Sequence, residues 1–520
     1  MQRGEILFDV GDPQAPFLLV VTGELHAVRK NANGEDLIAI HGPGQFTGEV
    51  SLLSGRRALV QERANAAGEV IELNREQLLQ LIQTDAEISE IVMRAFILRR
   101  VEFITRGFGD AIVIGSRFCA RTLGVKEFLT RNAQPFRYID LDREADVQSV
   151  LDRFGVTPAD MPIVICGPGT VLRHPTEAQI AECLGFNASI DPHQLHDLVV
   201  VGAGPAGLAA AVYAASEGLD VLVIESRYPG GQAGSSSKIE NYLGFPTGIS
   251  GQALSGRAYV QAEKFGAQVL VARSAARLDC GSRPYAIDIG DASPIRARAV
   301  VIATGVEYRK PKLADMPRFE GLGVYYAATF MESQLCADEE VIVIGGGNSA
   351  GQAAVFLAQT ARHVHILVRS AGLAESMSRY LVRRIELHSA ITLHTHTEVV
   401  AFEGENHLER VRWRNNVSGA VETREIRHVF VMTGAIPATT WLAGCVALDA
   451  NGFVLTGPDL SASTLAEAAW PLSRLPFLLE TSRPGVFAVG DVRADNIKRV
   501  ASAVGEGSIA ISFVHRVLSE

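Results

Sequence analysis

Two glycine-rich turns, one early and one late in the C-terminal part of the chain, constrain its fold more than any other feature. The first lies in LVVVGAGPAGLAAAVYAASEGLDVLVIES, where an apolar run meets Gly202, Gly204 and Gly207 in GxGxxG spacing. In such a unit the first glycine allows the turn, the second lets backbone approach a pyrophosphate, and the third lets helix and strand pack closely. Pro205 and Ala206 open the predicted helix. Glu225 ends the next apolar run, where an acid can accept from a ribose hydroxyl. A glycine turn alone is weak; strand, turn, helix and terminal acid together predict a dinucleotide-binding βαβ unit.

The second turn lies in VIVIGGGNSAGQAAVFLAQTARHVHILVRS. Gly345, Gly347 and Ala350 take the three small-residue places, with Asn348 and Ser349 at the start of the helix. The next strand ends in Arg369 and Ser370 instead of an acid, at nearly the same offset from the first glycine as Glu225 in the first unit. An arginine there suits a ribose bearing a 2′-phosphate, which selects NADPH over NADH. Arg379, Arg383 and Arg384 could extend a phosphate patch. Two dinucleotides in one chain suggest hydride transfer from a nicotinamide to a flavin.

Composition narrows the remaining classes. Glycine accounts for 49 of 520 residues, above the usual ~7%, so the chain is loop-rich or brings backbone close to ligands at many places. With 48 Lys+Arg against 58 Asp+Glu the formal charge is −10, which argues against nucleic acid as a partner. The six cysteines are Cys119, Cys166, Cys183, Cys280, Cys336 and Cys445; none forms a CxxC, and their spacing supports neither a zinc ribbon nor a disulfide scaffold. The uncharged stretches 198–216 and 341–361 each break into a glycine cluster and read as buried strand, turn and helix, not as membrane spans. With no apolar signal core at the N-terminus, a soluble cytoplasmic protein with no membrane partner is expected.

Residues 1–108 alternate short β-rich runs with Gly, Asp and Asn turns, then show helical periodicity, which predicts a β-roll closed by helices. Residues 109–187 read as strand, helix, strand, helix and hairpin. A polar linker, 188–196, leads to a large alternating α/β region.

That last region, from Leu198 onward, resembles the thioredoxin reductase family of flavoproteins. The resemblance implies two Rossmann-like domains: an FAD domain of 197–312 with 436–520, and an NADPH domain of 313–435. In PGGQAGSSSKIENYLGFP it implies flavin contacts at Gly231, Gln232 and Asn241. VVIATGVEYRKP supplies Ala303, Thr304 and Gly305 by the same resemblance. VFAVGDVR resembles the second FAD motif, with Gly490 and Asp491 near ribitol and pyrophosphate. Lys498, Arg499 and Val500 follow where the family packs a segment on the flavin. The family's catalytic CxxC has its place in GVYYAATFMESQLC, but Ala327 and Phe330 hold the two cysteine positions. No internal disulfide exchange is available there, so no catalytic residue is assigned.

Residues 109–187 resemble a glutaredoxin or thioredoxin fold whose redox position reads SRFC. Ser116 replaces the first cysteine, leaving Cys119 as a lone candidate thiol. The N-terminal roll resembles a cyclic-nucleotide-binding domain; in FTGEVSLLSGRRALV the resemblance implies Glu49 at the ribose hydroxyl and Arg57 at the cyclic phosphate beside the Gly48 backbone, with a cyclic nucleotide or another effector as ligand. The whole is thus expected to be a multidomain homodimer. It would carry electrons from NADPH through FAD to an external acceptor, a small redox protein or a disulfide. Two alternatives stand beside this reading: a ferredoxin–NADP reductase-like enzyme, and a non-catalytic flavin- or nucleotide-responsive sensor.

Overall fold

The computed structural model of the chain describes all residues except 32–33, 107–110, 145–146, 167–169, 188–189, 192, 291–292, 312, 314 and 406, and describes the backbone alone at 30, 31, 104–106, 150, 153, 154, 158, 330 and 331. The expected boundaries at 108/109 and 312/313 and part of the 188–196 linker therefore lie outside the described residues.

The N-terminal region is an antiparallel sheet built on two long strands, Phe17–Asn31 and Gln61–Leu73, flanked by Ile6–Phe8 and Gly34–His41. Alternation packs Leu18, Val20, Leu25 and Ala27 inward. Helices Arg75–Thr84 and Ala86–Arg106 close it; Asn74 starts the first with a capping box to Gln77.

Next comes a four-stranded sheet in the order Phe136–Asp140, Ala111–Gly115, Ile163–Cys166, Thr170–Arg173. The first two strands are parallel and joined by helix Ala120–Arg131, and the last two form an antiparallel hairpin. The Met161–Pro162 peptide bond is cis.

The seven-stranded sheet that follows is centred on the parallel strands Val221–Ile224, Leu195–Val201, Ile295–Ile302 and Val486–Ala488. These apolar strands are buried on both faces, as parallel sheets require. On one face Leu198 and Val200 pack against helices Pro205–Ser216 and Val500–Ser519 through Ala210, Ala214, Ala510 and Val514; on the other, Val199 and Val201 pack against Trp441, Leu442 and Val492. A second, five-stranded parallel sheet runs Val324–Tyr325, His428–Val431, Glu340–Ile344, His363–Leu367, Ile391–His394. The strands Val306–Tyr308 and Ala435–Pro437 pair antiparallel and tie the two sheets together. Among the described residues no helix is long and apolar enough to cross a membrane.

Candidate functional site

The three glycines of the first turn divide the labour that their spacing predicts. Gly202 has φ +104°, and a Cβ there would meet Ala303 O at 2.4 Å. A Cβ on Gly207 would meet Gly202 O at 1.8 Å, so helix and strand touch through backbone. Gly204 differs: its nearest neighbour in the Cβ direction is the Gly231 Cα, at 3.9 Å. It is also the N-cap of Pro205–Ser216, and no side chain caps that helix. The first-turn N–H groups are left for an anion, and the backbone face at Gly204 is open to receive one.

Glu225 stands beside this turn, its Oε2 accepting from Ala203 N at 2.8 Å and its Oε1 from Arg227 N at 3.0 Å. Burial pushes its carboxyl up, opposed by these N–H donors. Gln232 donates to Val306 O at 2.6 Å, and Thr304 to Ala438 O at 2.8 Å. Gly305 and Gly231 both take positive φ, 63° and 52°. A Cβ on Gly231 would sit 3.1 Å from the Gly204 Cα, which keeps the two segments together. Asn241 lies exposed on the 235–249 segment, next to Glu240, and makes no hydrogen bond among the described residues.

Gly490 (φ +73°) abuts the same helix; a Cβ there would meet Ala206 Cβ at 2.9 Å. Asp491 follows, its carboxyl raised mainly by burial and also by Glu506, with Lys498 opposing. Lys498 lies 4.6 Å over the Phe453 ring, and Arg499 is the exposed N-cap of Val500–Ser519 with Val500 half-buried. Sequence reasoning missed Glu506, which gathers Gly490 N (2.7 Å), Arg493 (2.8 Å) and Asn496 (2.8 Å). It lies early in the helix that Val500 begins, and only the chain reversal at 490–499 brings it to Gly490.

The second turn repeats the pattern. Gly345 (φ +141°) is closed by Met432 O, 2.3 Å from a hypothetical Cβ, and Ala350 is fully buried against it. Gly347, the uncapped N-cap of Asn348–Leu357, has nothing within 4 Å. Asn348 Oδ1 accepts from Ser378 N at 2.7 Å, which brings the start of helix Arg379–Leu387 to the turn. Arg369, Ser370, Arg379 and Arg383 are exposed there, and among the described residues none of these arginines has a carboxylate partner. Arg384 is committed instead to Glu240, at 2.6 Å.

Tyr308 lies on the strand that follows Gly305; burial raises its pKa, Ser349 opposes the rise and Asp491 adds to it, so the residue feels groups beside both turns.

Where the resemblance leads one to expect the CxxC, Ala327 is half-buried; Phe330 opens helix Phe330–Leu335, and its side chain lies outside the described residues. Cys336 is fully buried, donates to Ser333 O, and has its thiol pushed up to about 12, chiefly by burial. It is no nucleophile at neutral pH. Cys119 is a half-exposed free thiol at the N-cap of Ala120–Arg131. That helix reaches the CxxC region: a Cβ on Gly321 would meet Ala120 Cβ at 2.6 Å, and the Glu127 charge raises the buried Glu332 carboxyl, after burial itself. The spacing-based expectation of no disulfides is corrected here. Cys166 pairs with Cys183 and Cys280 with Cys445, with Cα–Cα separations of 6.0 and 5.7 Å. The second pair is 165 residues apart in sequence, a distance at which spacing carries no information.

In the N-terminal roll, Gly48 has φ +91° and lies hard against Pro16, whose O would be 2.0 Å from a Cβ. Glu49 is fully buried and takes Arg99 Nη1 on both oxygens, at 2.8 and 2.9 Å. Arg57 donates to Cys183 O at 3.3 Å. The three cassette residues are thus present and partnered within the chain.

Comparison with known proteins fits this geometry. The family described as pyridine nucleotide-disulphide oxidoreductase matches residues 196–507, three fifths of the chain. The chain belongs to that family. Within it, the chain is 30% identical over 327 residues to thioredoxin reductase of Chlamydia trachomatis, covering 62% of this chain and 98% of the relative. It is 31% identical over 326 residues to that of Mycolicibacterium smegmatis, covering 63% and 97%. Solved structures agree: Lactococcus lactis thioredoxin reductase in its FR conformation aligns with TM-score 0.56 and 25% identity, over 62% of this chain and 99% of that one. Thioredoxin reductase of T. acidophilum gives TM-score 0.56 and 27% identity over 63% and 100%. Residues 1–85 match the cyclic nucleotide-binding domain family. This family member is a thioredoxin reductase-like oxidoreductase, and FAD and NADPH are the cofactors of such enzymes.

Proposed function

We propose that the chain moves reducing equivalents from NADPH, held at the second glycine turn, through FAD, held at the first, to an external acceptor without an internal CxxC. FAD when bound accepts a hydride and passes electrons singly or in pairs. The observation that carries the reading is the pair of uncapped helix starts, each behind a glycine turn with open backbone, together with a cysteine place filled by Ala327 and Phe330. Gly204 and Gly347 offer open backbone to the two pyrophosphates, and Arg369 with Arg379 offers charge to a 2′-phosphate. Gln232 fixes the strand edge at Val306, and Glu506 fixes Gly490. Residues 197–312 with 436–520 form the FAD domain and 313–435 the NADPH domain in this reading, with a homodimer as the working unit and the cytoplasm as its place.

Residues 109–187 are read as a thioredoxin-like domain, supported by the strand order and by a helix starting after the first strand at Cys119. Its helix lies against Gly321 and reaches Glu332. That contact favours a role for this domain at the acceptor side, either docking the acceptor or lending Cys119 to it.

Anaerobic mixing with NADPH, followed by an acceptor screen, tests the proposal. Flavin bleaching within the mixing time, and reoxidation by oxidised thioredoxin, a dithiobenzoate dye or ferredoxin, is the expected result. Absence of bleaching sinks the reading in favour of a sensor. Loss of disulfide turnover in Cys119→Ser, with bleaching intact, assigns the thiol; unchanged turnover leaves this domain with docking only.

A further inference from the structure

The arginines of the N-terminal cassette do not face the roll. Glu49 is taken by Arg99 and Gly48 is sealed by Pro16, so the inner side of the cassette is filled by its own chain. Arg56 and Arg57 project outward to the next domain. Arg56 Nη1 donates to Asn132 O at 2.7 Å, and its guanidinium lies 4.4 Å from the Phe186 ring centre.

Between these surfaces is a cavity lined by Arg56, Arg57, Arg100, Ser51, Ser54 and Gln134, with apolar walls. It lacks both Gly48 and Glu49 and draws one wall from residues 133–135 and 184, so it is distinct from the cassette's own pocket. Among the described residues no carboxylate lines it. Arg100 is 9% exposed, and its closest acid, Glu263, stands behind it at 3.9 Å, beyond hydrogen-bond distance. Among the described residues Arg100 Nη2 and Arg56 Nε have no hydrogen-bond acceptor. Burial, with Arg56 adding repulsion, pushes the Arg100 guanidinium down. Arg56 and Arg57 are half-buried and each donates to a carbonyl, so the unmet demand rests on the buried Arg100 Nη2 and on Arg56 Nε, and a buried donor without an acceptor is costly unless a ligand completes it.

We propose that this junction binds a phosphate-class oxyanion, whose anionic head sits among Arg56, Arg57 and Arg100. The cavity has room for a water-sized group at the arginines and is open to solvent on its outer side. A phosphoryl group that inserts one oxygen and leaves its remainder outside meets both constraints. The inserted oxygen can accept from more than one guanidinium N–H, whose weakly hydrated planar donors suit a buried phosphate contact better than a lysine point charge. Because the ligand would touch the roll, the long helix and the second domain at once, its binding would stiffen their packing.

Calorimetric titration of the full chain with inorganic phosphate, then with a 3′,5′-cyclic nucleotide, tests this. The expected result is saturable phosphate binding, weakened at least tenfold in both Arg56→Gln and Arg100→Met. Competition between cyclic nucleotide and phosphate assigns the head to a nucleotide; phosphate binding without competition assigns free phosphate or a phosphate monoester. Absence of saturable binding by both ligands overturns the proposal. So does phosphate affinity within twofold of wild type in both variants, or phosphate binding lost only in Arg369→Ala.

Discussion

Gly204→Ala and Gly207→Ala should separate cofactor binding from folding, although the two glycines belong to one short motif. At Gly207 a Cβ would stand 1.8 Å from Gly202 O, where ordinary contact begins near 3.4 Å, so helix and strand backbone must be forced apart. Overpacking in a tight site costs about 1–3 kcal/mol, only partly offset by the ~1 kcal/mol that alanine gains over glycine in a helix. A net loss of up to about 2 kcal/mol is expected, together with weaker FAD retention as the turn deforms. At Gly204 the nearest atom is 3.9 Å away and φ is −71°, a conformation open to any residue. Stability should change by less than about 0.5 kcal/mol, the unfolded-state gain and the weaker N-cap nearly cancelling. The new methyl group would nevertheless occupy the face reserved for a pyrophosphate. Losing one charge-assisted backbone hydrogen bond costs about 1.5–3 kcal/mol, or roughly ten- to a hundredfold in FAD affinity. Urea midpoints of the flavin-free proteins and FAD titration by flavin fluorescence read the two effects separately. Equal stability losses in the two variants, or unchanged FAD affinity in Gly204→Ala, would refute the assignment of an open backbone face.

The second turn should behave in parallel: Gly347→Ala keeps the fold and the flavin but raises KM for NADPH about tenfold, whereas Gly345→Ala, at φ +141° against Met432 O, destabilises the chain. Arg369→Ala should raise KM for NADPH tenfold or more while leaving KM for NADH unchanged; equal effects on both would remove the 2′-phosphate role. Cys336 keeps its proton in the folded chain to about pH 12, while an unfolded thiol loses it near 9. The folded state therefore binds more protons in that window, and stability falls with rising pH by up to about 1.4 kcal/mol per unit; Cys336→Ala should show a shallower alkaline decline in urea midpoint. Thiol titration of unreduced, denatured protein should count the two free thiols, Cys119 and Cys336, and a count of six would show both cysteine pairs reduced.

What the sequence made legible follows the range of the interactions involved. The units Leu195–Ile224 and Glu340–Leu367 were readable because each closes its logic within a single short stretch: strand, turn and helix neighbour one another in chain and space. Glycine identity there reports backbone geometry directly, and the contacts at Gly202 and Gly207 bear the expected roles. Legibility fails where function depends on which distant surface lies opposite. Asn241 belongs to a recognisable stretch, yet lies exposed, while its neighbour Glu240 is claimed by Arg384 from the other dinucleotide unit. The cassette shows the same failure more sharply. Gly48, Glu49 and Arg57 are the residue types a nucleotide would use, but Arg99 pairs with Glu49 and Cys183 O receives Arg57. A local motif specifies which groups are presented; only the packing of the neighbouring domains decides whether a ligand or the protein itself meets them. That is why the junction at Arg100, assembled from four separate stretches of chain, is not contained in any one motif, and why the guanidinium nitrogens left there without an acceptor are informative. Buried charge is retained in a fold only against a cost of several kcal/mol, so an uncompensated cluster points beyond the chain to the group that completes it.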